Sequence, residues 1–520
     1  MGPGLTAPPR RLLAERDALA LYAPMNRSRR SFLGGLGAVL AAGPLAAGAP
    51  ETSLRPRMRG AIAAEFLDGP EALVARAGVA GRTAFVVADA ESGLVLESLH
   101  GNLGLPPASV VKALTALYAL ETLGAGYRFR TRLAATGSLQ DGVLHGDLIL
   151  LGGGDPSLDT DDLARMVSQL AQTGVRGVRG RFLVDEGALP AVRSIDPAQA
   201  AQLAYSPAVS GIALNYNRVH FEWKQAGDGY SLTLEARARD YRPAVTVAKV
   251  VVESRATPVY GYSDTGGSDS WSVARAALGT EGARWLPVRR PGAYAGDVFR
   301  TLAEAQGLAL PAAGIVAGAT PGDARVLVEH ESEPLQEILR DMLKWSNNLT
   351  AEMVGMTATA TRNGRPASMR ASAQVMSDWA AARYGMRGTR LIDHSGLGDA
   401  SRMTPGDLVA ALVQANAEGR LRPLLKEFTL RDAGGRPDAN HPIRVDAKTG
   451  TLNFVSGLGG FMTGADGTDL AFAIFSADAD QRATYAGSEQ EIPPGARSWN
   501  ARAKSLQQKL IERWGALYCS

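Results

Sequence analysis

Three short motifs follow one another along the chain: Ser109-Val-Val-Lys112, Ser346-Asn347-Asn348 and Lys448-Thr449-Gly450. Each is common by itself. Together they describe a serine acyl-transfer site, in which a hydroxyl nucleophile lies one helical turn from a lysine able to accept its proton. A second hydroxyl and an amide come from another loop, and a lysine-led strand lines the pocket. The choice of lysine carries weight, because the chain has 47 Arg and only 8 Lys. A guanidinium cannot give up its proton, whereas a desolvated ammonium can, so a proton-accepting position needs Lys even where Arg is the usual cation.

The elements that must position these groups can be read around them. Pro106-Pro107-Ala108 is incompatible with a helix interior and predicts a helix starting near Ser109. Ala113, Leu114, Leu117, Leu120 and Leu123 make it apolar nearly all round, hence buried, and Gly124 is a natural stop. Ser109 then sits where unpaired backbone N–H groups and the positive end of the dipole favour a developing oxyanion, with Lys112 on the same face. Leu335, Ile338, Leu339 and Met342 predict a helix up to Lys344, interrupted at Trp345-Ser346-Asn347-Asn348 and resumed from Leu349. The turn admits two readings, a polar pair aimed into a cleft or an ordinary helix cap. Val445–Thr451 reads as a strand, Ser456–Gly460 as a Gly-rich turn, and Leu470–Phe475 as a buried strand.

These residues and their spacing resemble the penicillin-binding proteins and serine β-lactamases, and within them the class C, low-molecular-mass D-alanyl-D-alanine carboxypeptidases with endopeptidase activity. Ser109 and Ser346 are 237 positions apart, and Ser346 and Lys448 are 102 apart. The first gap fits a catalytic domain interrupted by a large insert. Gly146-Asp-Leu-Ile-Leu-Leu-Gly-Gly-Gly-Asp155-Pro-Ser-Leu158 resembles the start of that insert, and Asp393-His-Ser-Gly-Leu397 with Arg402-Met-Thr-Pro405 resembles a later segment. The match runs over about residues 58 to 518, with His394 standing where Gly is expected.

The resemblance implies an α+β fold, an antiparallel sheet flanked by helices and interrupted by a β-rich insert. It implies Ser109 as nucleophile, Lys112 as general base and Ser346 as proton relay to the leaving amine. Asn348 would hold the substrate amide and the Lys112 side chain. Lys448 supplies positive potential, Thr449 and Thr451 bond the substrate carboxylate, and the N–H groups of Ser109 and Thr451 form the oxyanion hole along the Gly450 strand. The implied substrates are peptidoglycan stem peptides, with β-lactams as inhibitors and no cofactor. Two rivals remain: a serine β-lactamase, and a non-catalytic peptidoglycan-binding or β-lactam-sensing protein. Against the first, Glu352, Glu418 and Glu427 are the glutamates between Asn348 and Lys448, and none begins the Glu-x-x-Leu-Asn segment of class A β-lactamases. Against the second, a pure binder has no need of a nucleophile beside its base.

Residues 1–49 read as a leader. Arg29-Arg30 precede a Gly- and Ala-rich apolar stretch ending near Ala47-Gly-Ala49, as in a twin-arginine export signal, and Met25 is a second candidate start. The stretch is short and contains Pro44, which disfavours a stable membrane span. Six arginines and two acidic residues lie in this leader, so the remainder carries 49 basic and 50 acidic side chains. No basic patch suggests nucleic acid. A periplasmic location is expected. Cys519 is the only cysteine, which excludes an internal disulfide, and its position suggests an exposed tail thiol. The six histidines have no metal-ligand spacing, and His394 reads as a loop residue.

The expected division is catalytic residues 50–134 and 336–520, with an insert over 135–335. A hairpin of Ala84–Asp89 and Leu94–Glu97 should join the strands at Lys448 and Leu470. Trp499, Ala503, Leu506, Leu510 and Trp514 predict a C-terminal helix on that sheet. The insert reads mostly as strands, at Arg181–Val184, Arg218–Trp223, Tyr230–Ala236 and Ala244–Val252, with a returning helix over Ala295–Gln306. Asp155-Pro156 reads as a turn.

Overall fold

A six-stranded antiparallel sheet carries the architecture, in the order Lys426–Glu427, Arg444–Leu452, Val455–Thr463, Asp469–Ala477, Arg82–Asp89, Val95–Leu99. The computed structural model describes residues 68–519 except 319, 320, 433, 486 and 489; the leader lies outside the described residues. The expected hairpin is present. The Asp89 carboxylate accepts from the Ser92 N–H (2.7 Å) and hydroxyl (2.6 Å), closing a tight turn. Arg82–Asp89 pairs in unbroken register with Asp469–Ala477.

Strand periodicity sorts side chains onto two buried faces. Ala84, Val86 and Ala88 enter a core shared with the helices Val111–Leu123, Leu335–Trp345, Asn348–Asn363, Met369–Tyr384 and Pro405–Ala417. Phe85, Val87, Phe472 and Ile474 face the other way, against Leu506, Leu510 and Trp514 of the helix Ala496–Tyr518. The C-terminal helix therefore lies where its aromatic stripe predicts. Cys519 departs from expectation: it is buried at the end of that helix, packed against Gly464, and burial pushes its thiol up to about 12.

The Gly-rich segment also departs. Val455–Thr463 is a strand, and the chain reverses instead at Asn453-Phe454, where Phe454 adopts φ 59. Its glycines answer close approach. A Cβ on Gly457 would stand 3.0 Å from the Pro107 carbonyl, and one on Gly460 would stand 2.2 Å from the Asp446 carbonyl. Glycine here lets the serine turn and the neighbouring strand lie directly on the sheet.

The serine turn, Ala108–Val110, leads into the helix Val111–Leu123. Its first ten residues, Val111–Leu120, are buried, and only Lys112 and Thr115 among them carry an ammonium or an aliphatic hydroxyl. Residues 133–328 hold a separate hydrophobic core. Its five-stranded sheet begins with Arg130–Ala135 and ends on Arg325–Glu331, which pair with each other, so the chain leaves and re-enters side by side. The four expected strands and the returning helix are there, the helix running from Pro291 to Ala305. The helix Thr160–Gln172, capped by the Asp159 carboxylate, was not among the expected elements.

Phe472→Ala removes a ring packed at a tilt against Trp514, with centroids 5.8 Å apart. It should cost about 3–5 kcal/mol of unfolding free energy, read as a lowered urea midpoint.

Candidate active site

The three motifs meet in one place. Lys112, on the first turn of its helix, is fully buried, and its Nζ makes three hydrogen bonds: to Ser109 Oγ (2.9 Å), Asn348 Oδ1 (2.7 Å) and the Ser395 carbonyl (2.7 Å). Burial holds the Lys112 ammonium well below the usual lysine range, and the nearby Lys448 charge adds to the effect. Lys448 is nearly buried, and its Nζ donates to Ser346 Oγ (3.0 Å) and to the Thr449 carbonyl (2.7 Å). Burial lowers it to about 8, with Lys426 contributing.

The turn at Ser346 satisfies both readings at once, on different residues. Ser346 ends one helix with φ 57, and Asn347 caps the next by accepting from the Thr350 N–H at 3.0 Å. Because Asn347 does the capping, Ser346 reaches Lys448 and Asn348 reaches Lys112. Asn348 is held at its other end too, since Nδ2 donates to the Tyr205 carbonyl at 2.9 Å.

Gly450 brings its strand onto the serine turn: a Cβ there would lie 2.8 Å from the Pro107 carbonyl and 3.0 Å from the Ser109 nitrogen. Ser109, Ser346, Asn348 and Thr451 line a common cleft of about 390 Å³, together with Tyr205 and Arg482. Thr449 is exposed next to it and contributes its carbonyl to Lys448. A second hollow of about 400 Å³ shares Tyr205, Ser346 and Asn348 and is walled by Trp345, Tyr216 and the acids Glu337 and Asp341. Asp155 does belong to a turn, its Oδ1 accepting from Ser157 N–H at 2.8 Å.

Sequence reasoning missed the groups behind Lys112. The loop 393–396 supplies the Ser395 carbonyl. The Asp393 carboxylate folds this loop by accepting from the N–H groups of Gly396 (2.9 Å) and Gly398 (2.6 Å). Gly396 has φ +75, and its Cβ position lies only 1.9 Å from the Ala108 carbonyl, so the loop presses on the serine turn. Glu352 was visible as a lone carboxylate on an apolar helix, between Ala351 and Met353. His394 is a loop residue as expected, yet fully buried, its ring on Ser372 Oγ (2.8 Å) and against Gly355. Among the described residues no group of three or more His, Cys, Asp and Glu is placed to hold a metal ion.

A buried lysine bonded to a half-buried serine, beside a second serine and a lysine-bearing strand, all between a helical layer and an antiparallel sheet, defines the penicillin-binding fold of serine acyl-transfer enzymes. The solved structure of penicillin-binding protein 4 (dacB) from Haemophilus influenzae superimposes with a TM-score of 0.69 at 20% identity, covering 85% of this chain and 99% of that one. A D-alanyl-D-alanine carboxypeptidase from Actinomadura sp. (strain R39) is 29% identical over 479 residues, 84% of this chain and 85% of its own length. The Haemophilus influenzae D-alanyl-D-alanine carboxypeptidase DacB is 24% identical over 419 residues, 75% of this chain and 84% of its own length. Residues 71–492 match the D-Ala-D-Ala carboxypeptidase 3 (S13) family, and the chain belongs to it.

Burial lowers His394 to about 3 from an ordinary 6.5. The neutral ring's contribution to stability is therefore whole above about pH 6.5 and is lost as pH falls toward 3, because the unfolded chain takes up a proton that the folded one refuses. The difference in urea midpoint between native protein and His394→Asn should shrink steadily on acidification through that window.

Proposed function

We propose that this chain is a serine D,D-peptidase that cleaves the D-Ala-D-Ala end of peptidoglycan stem peptides, and their D-Ala cross-links, through an ester on Ser109. The observation that carries the reading is the environment of Lys112 Nζ, in contact with Ser109 Oγ and two fixed acceptors. Burial favours the neutral amine. Asn348 Oδ1 and the Ser395 carbonyl can only accept, so they take its two N–H bonds, and the lone pair is left facing the Ser109 hydroxyl.

Lys112 takes the hydroxyl proton as Ser109 Oγ bonds to the carbonyl carbon of the penultimate D-Ala. The N–H groups of Ser109 and Thr451 hold the oxyanion. The C–N bond then breaks, and Ser346, bridged to Lys448, relays to the departing amine the proton that Lys112 took, which returns Lys112 to the neutral amine. For a carboxypeptidase that amine belongs to free D-Ala; for an endopeptidase it belongs to the neighbouring stem peptide. Lys448, Thr449 and Thr451 suit a carboxylate at the end of the substrate, Lys448 through its charge below about pH 8. Water next attacks the ester as Lys112 accepts its proton, and when the C–O bond to Ser109 breaks Lys112 passes that proton to Oγ, which frees the acid and restores both groups.

With a β-lactam the departing amine stays tethered to the acyl group, so the adduct persists. Glu352 does not line the cleft, and its carboxylate is engaged by backbone N–H groups, which supports slow release over β-lactamase turnover. Export by the twin-arginine route with loss of residues 1–49, and action in the periplasm, complete the reading. No helix among the described residues is long and apolar enough to cross a membrane. The insert over 135–335 between catalytic parts 50–134 and 336–520 serves to shape access to the cleft, as the Tyr205 contact with Asn348 supports.

Labelled penicillin should give a stable adduct on Ser109, and a D-Ala-D-Ala-ended muropeptide should release D-Ala. Rapid turnover of the antibiotic would mark a β-lactamase, and absence of labelling a binder. Lys112→Arg, which cannot accept a proton, should slow acylation by roughly 10²–10⁴-fold. Labelling at the native rate in that variant would remove Lys112 from the role of base.

A further inference from the structure

We infer that Glu352 is a positioning residue for acyl transfer: through the peptide unit between His394 and Ser395 it fixes the Ser395 carbonyl, and that carbonyl aims Lys112 at Ser109. The inference rests on the reading of Ser109 as nucleophile and Lys112 as base.

Glu352 lies one helical turn beyond Asn348 and is fully buried behind the reacting groups. Its Oε1 accepts from the Ser395 N–H (2.9 Å) and its Oε2 from the His394 N–H (3.0 Å). Both oxygens thus face backbone N–H donors. These donors and the Ser395 side chain favour the carboxylate, against the upward push of burial and the Asp393 charge. From the opposite side, Thr115 Oγ1 donates to the His394 carbonyl at 2.7 Å. Held at both ends, the loop presents the next carbonyl, that of Ser395, to Lys112 Nζ.

The consequence is geometric. A neutral amine with only Asn348 Oδ1 as a fixed acceptor can spin about that bond, and its lone pair sweeps away from Ser109. The second acceptor stops the rotation. No side chain supplies it, so the groups that orient the loop do the orienting. The charged and titratable groups around Lys112 are Glu352 from the helix, Asp393 and the buried neutral His394 from the loop, and Lys448 from the strand. Glu352 and Asp393 favour the ammonium, and Lys448 opposes it.

Glu352→Gln keeps one acceptor oxygen, sets an NH₂ donor where the other oxygen meets an N–H, and withdraws one negative charge. The test is the second-order rate of acylation of the full chain by a fluorescent penicillin, followed from about pH 5 to about pH 10. The variant should show a plateau lower by roughly 10–100-fold. Its acid limb should move to lower pH, because the ammonium has lost a stabilising anion. A purely structural role would lower the melting temperature and the labelled fraction while the rate and limb of the folded fraction stay native, and that result overturns the inference. Should Glu352→Gln fail to fold, Glu352→Asp decides: it keeps the charge but draws the carboxylate one methylene back from the His394 and Ser395 N–H groups, and should lower the plateau with little shift of the limb. A native plateau in Glu352→Asp then overturns the inference. Native protein is the control, since absence of a Ser109 adduct there overturns the underlying reading instead.

Discussion

The site depends on one desolvated amine. Lys112 has no exposed surface, and each direction in which its nitrogen can bond is filled by a fixed oxygen. A lysine in that position costs stability as a cation and becomes useful as a neutral base. Much of the fold can be understood as what is needed to keep water from it. The serine helix is apolar around it, the sheet comes close enough through glycine to seal one side, and the 393–396 loop closes the back.

Two lysines share the neighbourhood and are kept apart in function by their partners. Lys112 meets acceptors on every side, with two carboxylates behind it. Lys448 bridges Ser346 to its own strand through the Thr449 carbonyl. Each raises the cost of charging the other, so the pair favours one cation at a time. Such a division of labour between like groups arises from burial and hydrogen bonding, without any difference in residue type.

The three motifs and the helices and strands that carry them were legible in the sequence because residue type and spacing encode them directly. Lys112 could be singled out because arginine is otherwise the default cation of the chain. What was not legible has physical reasons. The Ser395 and Tyr205 carbonyls belong to the backbone, and a carbonyl leaves no mark on residue identity. The run Ser456–Gly460 reads as a turn because glycine favours turns, but the same glycines are what close backbone approach in a strand requires. Cys519, at the chain end, gives no local sign of the Gly464 surface on which it is buried.

The contact between Asn348 and Tyr205 has a further meaning. A carboxamide is planar, with its donor and acceptor ends on either side of a single bond axis. Because Nδ2 is engaged by a carbonyl from the 193–206 loop, Oδ1 is obliged to face the amine. That loop is itself clamped by the Arg289 guanidinium, which donates to the carbonyls of Arg193, Ala201 and Ser206. The inserted region thereby dictates the orientation of the group that bonds Lys112 Nζ. A displacement of the 193–206 loop would release Nδ2 and let the carboxamide turn over, so the seating of the insert and the hydrogen bond on Lys112 stand or fall together.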